Sequence, residues 1–225
     1  MDESLFRDRG WDVIATYGHP PILDEIDSDP DSPGISDVGT KNMLYSLVLS
    51  MKPHRIVEIG SHIGSAAIVI LQALKLNKFG KLFAIEPQSH YFSKLNQYIE
   101  KAKLTDYVRT LQGFSYDKNI FATLKYEAPF QIIYIDACHN KTDVVRELND
   151  YYPLLDNNGL FILHDSSKHA QEFDSEKKGG VRDAIIEVCS SLNNLLAIFF
   201  EHPIWLNPCG LAIIAKQNIV NHINM

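Results

Sequence analysis

The sequence predicts an α/β protein built on a doubly wound, seven-stranded, mostly parallel sheet with an antiparallel last strand. Three observations carry that prediction. Short β-branched apolar runs alternate with helical patterns through most of the chain, as a sheet with crossover helices requires. The first run, RIVEIG, opens into a turn that holds Gly60 and Gly64. The last two runs, 195–201 and 210–216, have no helical pattern between them, and neighbouring strands without a crossover pair antiparallel.

Taken in order, residues 1–36 form an acidic N-terminal segment, and residues 37–225 form the domain. The segment HPPILDEIDSDPDSPG alternates acids with Pro and Gly, so regular structure is expected only as a turn or two near Leu5 to Tyr17. Trp11, Val13, Ile14, Tyr17, Ile22, Leu23 and Ile26 argue that part of it packs, as a lid over a substrate site. A helix should start at Ser36 or Asp37 as N-cap and run through Met43, Leu44, Leu47 and Val48 before Pro53. Strands are then expected at 55–60, 81–86, 107–112, 130–136 and 159–164, with helices at 63–76, 89–103, 116–126, 140–154 and 179–192. The polar stretch SSKHAQEFDSEKKGG, 166–180, reads as a mobile insertion that selects substrate together with the 202–209 loop.

A chain of 225 residues with 45% hydrophobic and 22% charged residues describes one soluble globular domain. The net charge of −7 is concentrated at one end: residues 1–40 hold ten Asp and Glu against two Arg, and the rest hold eighteen against nineteen Lys and Arg. The domain is nearly neutral, which argues against a nucleic-acid partner. Cys138, Cys189 and Cys209 are too few and too scattered for a disulfide framework or zinc cluster, and Cys138 and Cys209 are read as structural. With no apolar leader and no run long enough for a membrane span, a cytoplasmic protein without a membrane partner is expected.

The Gly60 turn joins a strand to a helix whose first N–H groups are unpaired, so it is suited to approach a ligand. A tight connection without a ligand fits the same residues. Glu86, 26 positions beyond Gly60, ends the next strand, where an acid can accept hydrogen bonds from both ribose hydroxyls of a nucleoside cofactor.

These motifs, Glu58 to Gly64 as E-x-G-x-x-x-G followed by AIEP, LQGFSYD, IIYIDACH and GLFILHD, resemble the class I S-adenosylmethionine-dependent methyltransferases. Within these the chain is similar to small-molecule O-methyltransferases of the catechol type and of the macrolide-sugar and cephalosporin-hydroxylase-like branch, over roughly residues 38–216. The resemblance implies a Rossmann-like fold and a homodimer. It also implies S-adenosylmethionine bound with Glu58 and Gly60 at the methionine end, Glu86 at the ribose, and Phe114 and Ser115 at the adenine, with Ser61, Gly64, Ser65, Gly113 and Asp136 also in the cofactor site. Ordinary core packing is the other reading of Phe114.

Asp136 and Asp165 end adjacent strands, where two unpaired carboxylates would repel; Mg²⁺ or another divalent cation would relieve this. The candidate metal ligands are Asp136, His164 and Asp165, although the His164-Asp165-Ser166 run departs from the related metal sites. Alternatively Asp136 caps the next helix and Asp165 bonds loop backbone. The candidate catalytic residues are His139, at the position of a catechol-type lysine, with Asp136, and His164 as rival base. The reaction expected is methyl transfer to a hydroxyl of a small metabolite: sugar, polyketide-like natural product or catechol-like. The alternatives are a non-methylating enzyme, or a non-catalytic partner subunit, on the same fold.

Overall fold

The computed structural model describes residues 20–217, apart from residues 193, 203 and 206. The segment Leu5 to Tyr17 lies outside them. Residues 20–36 correct the expected lack of regular structure, because Ile22–Asp27 is a helix (α1). The Pro20-Pro21 pair acts as a start: Pro21 is the N-cap at φ −53°, a value its ring presets for the first turn. Leu23 and Ile26 from α1 are fully buried against the domain.

Asp37 caps the second helix, α2 (Val38–Met51), as its residue type suggested: its side chain accepts from the N–H groups of Gly39 at 2.8 Å and Thr40 at 3.2 Å. The first strand is β1 (Arg55–Ile59), followed by α3 (Ser65–Asn77), β2 (Lys81–Glu86), α4 (Ser89–Lys101) and β3 (Val108–Gln112). The second half continues through α5 (Lys118–Glu127), β4 (Phe130–Ile135), α6 (Lys141–Tyr151) and β5 (Leu155–His164). It ends with α7 (Gly180–Ser191), β6 (Leu195–Phe200) and β7 (Leu211–Lys216).

The seven strands form one sheet in the order β3-β2-β1-β4-β5-β7-β6. The first five are parallel, and β7 pairs antiparallel with both β5 and β6. Strand alternation splits the core in two. Ile56, Leu82, Ala84, Ile132 and Tyr134 face α1 to α4, whereas Val57, Ile59, Phe83, Ile133 and Ile135 face α5 to α7. Helix α3 is apolar almost all round, with nine buried residues, so truncating Leu71 to Ala would leave a cavity costing about 2–5 kcal/mol.

Two boundaries differ from the sequence pattern by three residues or more. The helix expected to reach residue 154 ends at Tyr151, because Pro153 has no N–H to continue it, and a 3₁₀ turn (Tyr152–Leu154) follows. The next strand starts at Leu155 rather than 159, with a register shift on β4 between Phe130 and Ile132. The 166–180 insertion has a frame of its own. Asp174, 2% exposed, accepts from the N–H groups of Glu176, Lys178 and Gly180 at 2.8–2.9 Å, and a 3₁₀ helix (His169–Phe173) precedes it.

Candidate functional site

Sheet order reverses at β1, where β2 lies on one side and β4 on the other, and in open α/β sheets that is where a crevice opens at the carboxyl ends of the strands. A cavity of about 910 Å³ lies there, within the range of small-molecule sites. Its wall includes Gly60, Ser61, Ser65, Glu86, Gly113, Phe114 and Ser115 on one side and Asp136, His139, His164 and Asp165 on the other. Glu58 and Gly64 are behind the wall.

Glu58 is fully buried and accepts from the Ser61 hydroxyl at 2.6 Å. Burial, then the charges of Asp136 and Glu86, outweigh that bond and push its carboxyl up to about 8. Gly60 is required for a different reason from the one its sequence suggested. At φ +87°, a Cβ there would lie 2.2 Å from the Asp136 carbonyl oxygen, so the glycine lets the ends of β1 and β4 approach each other. Gly64, φ +101°, begins α3 with Leu95 packed over it.

Glu86 is 4% exposed, and its two oxygens accept from the N–H groups of His62 at 2.9 Å and Gln88 at 2.8 Å. Burial raises its pKa and those two bonds oppose the rise. His62, which sequence reasoning missed, holds an unusual φ of +48° and packs against Tyr91 with ring centroids 4.1 Å apart and planes tilted by 55°. Phe114 is half-exposed and stacked on Tyr116 with ring centroids 5.2 Å apart, so core packing is not its role. Ser115 is 5% exposed and donates to Glu147 at 2.6 Å.

The opposite wall is a lattice of charges. His164 Nε2 is 3.1 Å from Asp37 Oδ2, and its Nδ1 is 3.2 Å from Asp165 Oδ2 and 3.5 Å from Asp136 Oδ1. His139 Nε2 is 2.7 Å from the same Asp165 oxygen. The other Asp136 oxygen, Oδ2, accepts from Tyr134 at 2.7 Å and from Ser36 at 2.8 Å. Neither aspartate therefore takes its alternative part as helix cap or backbone acceptor; both face the histidines. Asp165 holds φ +55°, a strained value for a non-glycine residue and a frequent mark of functional positions.

The protonation pattern follows from the contacts. Burial works against a charge on His164, but the Asp136 carboxylate and the bonds to Asp165 and Asp37 override it and hold the imidazole protonated far above its ordinary range. Burial likewise opposes ionisation of Asp136, Asp37 and Asp165, and contacts with the histidines keep each below the usual carboxylate value. His139 is raised by its bond to Asp165, against desolvation.

The compact metal-type donor set among the described residues is Asp136, His139 and Asp165, whose ligand atoms lie within 4.8 Å of one another. That set contains His139, whereas the sequence suggested His164, whose two nitrogens face Asp37 at 3.1 Å and Asp165 at 3.2 Å. Cys138 and Cys209, expected to be structural, both lie on the cavity wall. Trp205 instead packs on Phe200, 5.7 Å between centroids, and over Gly39. Among the described residues no helix is long and apolar enough to cross a membrane.

Known proteins share this fold. Residues 57–166 match the family described as "Methyltransferase domain". The structure is similar to the O-methyltransferase TomG of Streptomyces achromogenes, solved with S-adenosylmethionine: 17% identity, 94% of this chain and 98% of that one covered, TM-score 0.74. It is also similar to a Bacillus cereus O-methyltransferase bound to S-adenosylhomocysteine (18%, 88% and 92%, 0.72). The S-adenosylhomocysteine-bound PaMTH1 of Podospora anserina aligns over 97% of both chains at 18% identity and TM-score 0.71. No curated protein matches the chain. Residues 57–166 are thus similar to a methyltransferase domain, and the seven-stranded fold is shared with these solved methyltransferases.

Proposed function

We propose that this protein is an S-adenosylmethionine-dependent O-methyltransferase acting on a hydroxyl group of a small metabolite. The observation that carries the reading is one cavity with Glu86 on one wall and an Asp165-held His139 on the other. Glu86 keeps free lone pairs for ribose hydroxyls, and Ser115 stands past the end of β3, where the adenine would lie. Bound S-adenosylmethionine supplies an electrophilic methyl group on a sulfonium.

Asp165, ionised, accepts the Nε2 proton of neutral His139 and so leaves Nδ1 as the nitrogen with a lone pair. That Nδ1 would take the proton of the acceptor hydroxyl as the methyl group passed from the cofactor sulfur to the hydroxyl oxygen. His164, held between three carboxylates, keeps Asp165 in place and offsets the local negative charge. Most of the acceleration would come from alignment and fixed charge.

A second reading rests on the donor set Asp136, His139 and Asp165. Two carboxylates and one imidazole fit a divalent ion, and the imidazole favours a first-row transition metal over Mg²⁺. There the ion would polarise the acceptor oxygen, with His139 as ligand rather than base. Calorimetry with S-adenosylhomocysteine on wild type and Glu86→Ala, followed by turnover on a panel of hydroxylated compounds with and without EDTA, tests both. The reading predicts micromolar binding that the Glu86 change abolishes; a wild type that binds no adenosyl ligand overturns it. Turnover that survives EDTA selects the histidine base, and turnover lost and restored by Mn²⁺ selects the metal.

A further inference from the structure

Helix α6 carries an acid where its pattern calls for an apolar residue. Its core-facing positions are Val144, Glu147, Leu148 and Tyr151, and Glu147 is only 5% exposed. Burial pushes its carboxyl up to about 7, against the bond from Ser115. Oε1 accepts from the Ser115 hydroxyl at 2.6 Å, and Oε2 is buried with no partner. One turn further along the helix, the Tyr151 hydroxyl donates to the Ser115 carbonyl at 2.8 Å. Two side chains of one helix thus fix both the backbone and the hydroxyl of a single serine on the cavity wall. A buried carboxyl with a vacant oxygen is costly unless it does something.

The consequence concerns polarity. A serine hydroxyl has one proton and two lone pairs. With Glu147 ionised, the Ser115 proton is committed to it, and the Ser115 oxygen then offers the cavity an acceptor. We infer that Glu147, acting through Ser115, makes the nucleobase end of this cavity selective for a 6-amino purine over a 6-oxo purine. The inference rests on the reading of the cavity as an adenosyl-cofactor site. An amino group at the 6-position donates to Ser115 and continues the chain to the carboxylate. A 6-oxo group in the same place sets two acceptors against each other and leaves both without a proton, and a site built for one hydrogen-bonding pattern discriminates strongly against its opposite. Glu147 is a positioning residue here, since it acts on the ligand through the serine.

The test compares dissociation constants for S-adenosylhomocysteine and S-inosylhomocysteine by calorimetry, on wild type, Glu147→Leu, Glu147→Gln and Ser115→Ala. The buffer is alkaline, so that a carboxyl titrating at about 7 is ionised. Wild type should prefer the adenosyl compound by about tenfold or more, the equivalent of one charge-assisted hydrogen bond. In Glu147→Leu the serine hydroxyl is released to rotate and donate, so the preference should collapse towards unity. Glu147→Gln keeps the volume and a carbonyl that can still accept the Ser115 proton, so its preference should fall between those of wild type and Glu147→Leu. Ser115→Ala should lose it too. A purely structural role for Glu147 would weaken both compounds alike and leave their ratio unchanged, which overturns the inference. Equal binding of both nucleosides to wild type overturns it as well, while leaving the methyltransferase reading intact. Wild type that binds neither nucleoside overturns both.

Discussion

The two walls of the cavity are built by different means. At the ends of β1 and β2 the ligand-facing groups are backbone and one carboxylate, and the order comes from positive-φ residues: Gly60, His62 and Gly64 in a single turn. At the ends of β4 and β5 the order comes from side-chain charge, with Asp37, Asp136 and Asp165 around His164 and His139 outermost. The first wall is fixed by sterics and tolerates few changes of shape. The second is fixed by compensation and tolerates few changes of charge. A nucleoside cofactor needs shape, whereas a reacting hydroxyl needs charge, so the division matches what each side is proposed to do.

Breaking the charge lattice should give the largest effect on turnover. Asp136 lies at its centre, taking Tyr134 and Ser36 on one oxygen and facing His164 with the other. Asp136→Ala removes the compensating charge for a buried imidazolium, and methyl transfer should fall by about 100-fold or more. The check is a rate assay beside a circular dichroism spectrum that shows the sheet intact; full activity would remove Asp136 from the mechanism. Breaking the steric wall should instead destabilise the protein. Gly60→Ala forces a methyl group to within 2.2 Å of the Asp136 carbonyl oxygen, and stability should drop by about 3 kcal/mol, read as a lowered urea midpoint.

That pair of predictions shows how the sequence was and was not legible. Strands were readable because buried parallel strands are β-branched apolar runs, and Glu86, Asp136 and Asp165 were readable because their runs end on them. The Asp37 cap was readable from residue type. Its second task was not: its partner His164 is 127 positions away, and no local pattern announces a pairing at that distance. Ser36, which bonds Asp136 across 100 positions, was hidden in the same way. Nothing local in KTDVVRELND marks Glu147 apart from the other charges; only the placement of the helix turns that face inward. In the N-terminal segment, Pro20 and Pro21 were read as breakers, yet proline at a helix start is compatible with the turn that follows, and buried Leu23 and Ile26 supply the packing that keeps α1 in place.

A pH titration of the rate, read on wild type beside His139→Gln, isolates the charged wall from Glu58 on the other side, whose carboxyl is itself pushed up to about 8. His139 has its pKa raised in the folded state by Asp165, so its contribution to stability is complete below the unfolded value of about 6.5 and is lost as pH rises through the higher folded value. Its service as a base has the opposite sign, since only the neutral ring can take the hydroxyl proton. The rate should therefore rise through an apparent pKa above about 6.5. Wild type should show that rise and His139→Gln should not, while S-adenosylhomocysteine affinity changes little between them. A profile flat in the wild type across the same interval would remove the histidine base.

The smallest effect separates the two tasks of a single residue. Asp37 caps α2 through Gly39 and Thr40 and also faces His164 at 3.1 Å. Serine is as good an N-cap as aspartate but carries no charge, whereas alanine does neither job. Asp37→Ala should cost about 1 kcal/mol of stability from the lost cap alone. Asp37→Ser should recover the cap while leaving His164 one carboxylate short. If the charged wall works by compensation, the serine variant should keep its urea midpoint near wild type and still lose turnover. If the Asp37 contact to His164 is only a by-product of capping, the serine variant should match wild type in both, and the lattice would then reduce to Asp136, Asp165 and the two histidines.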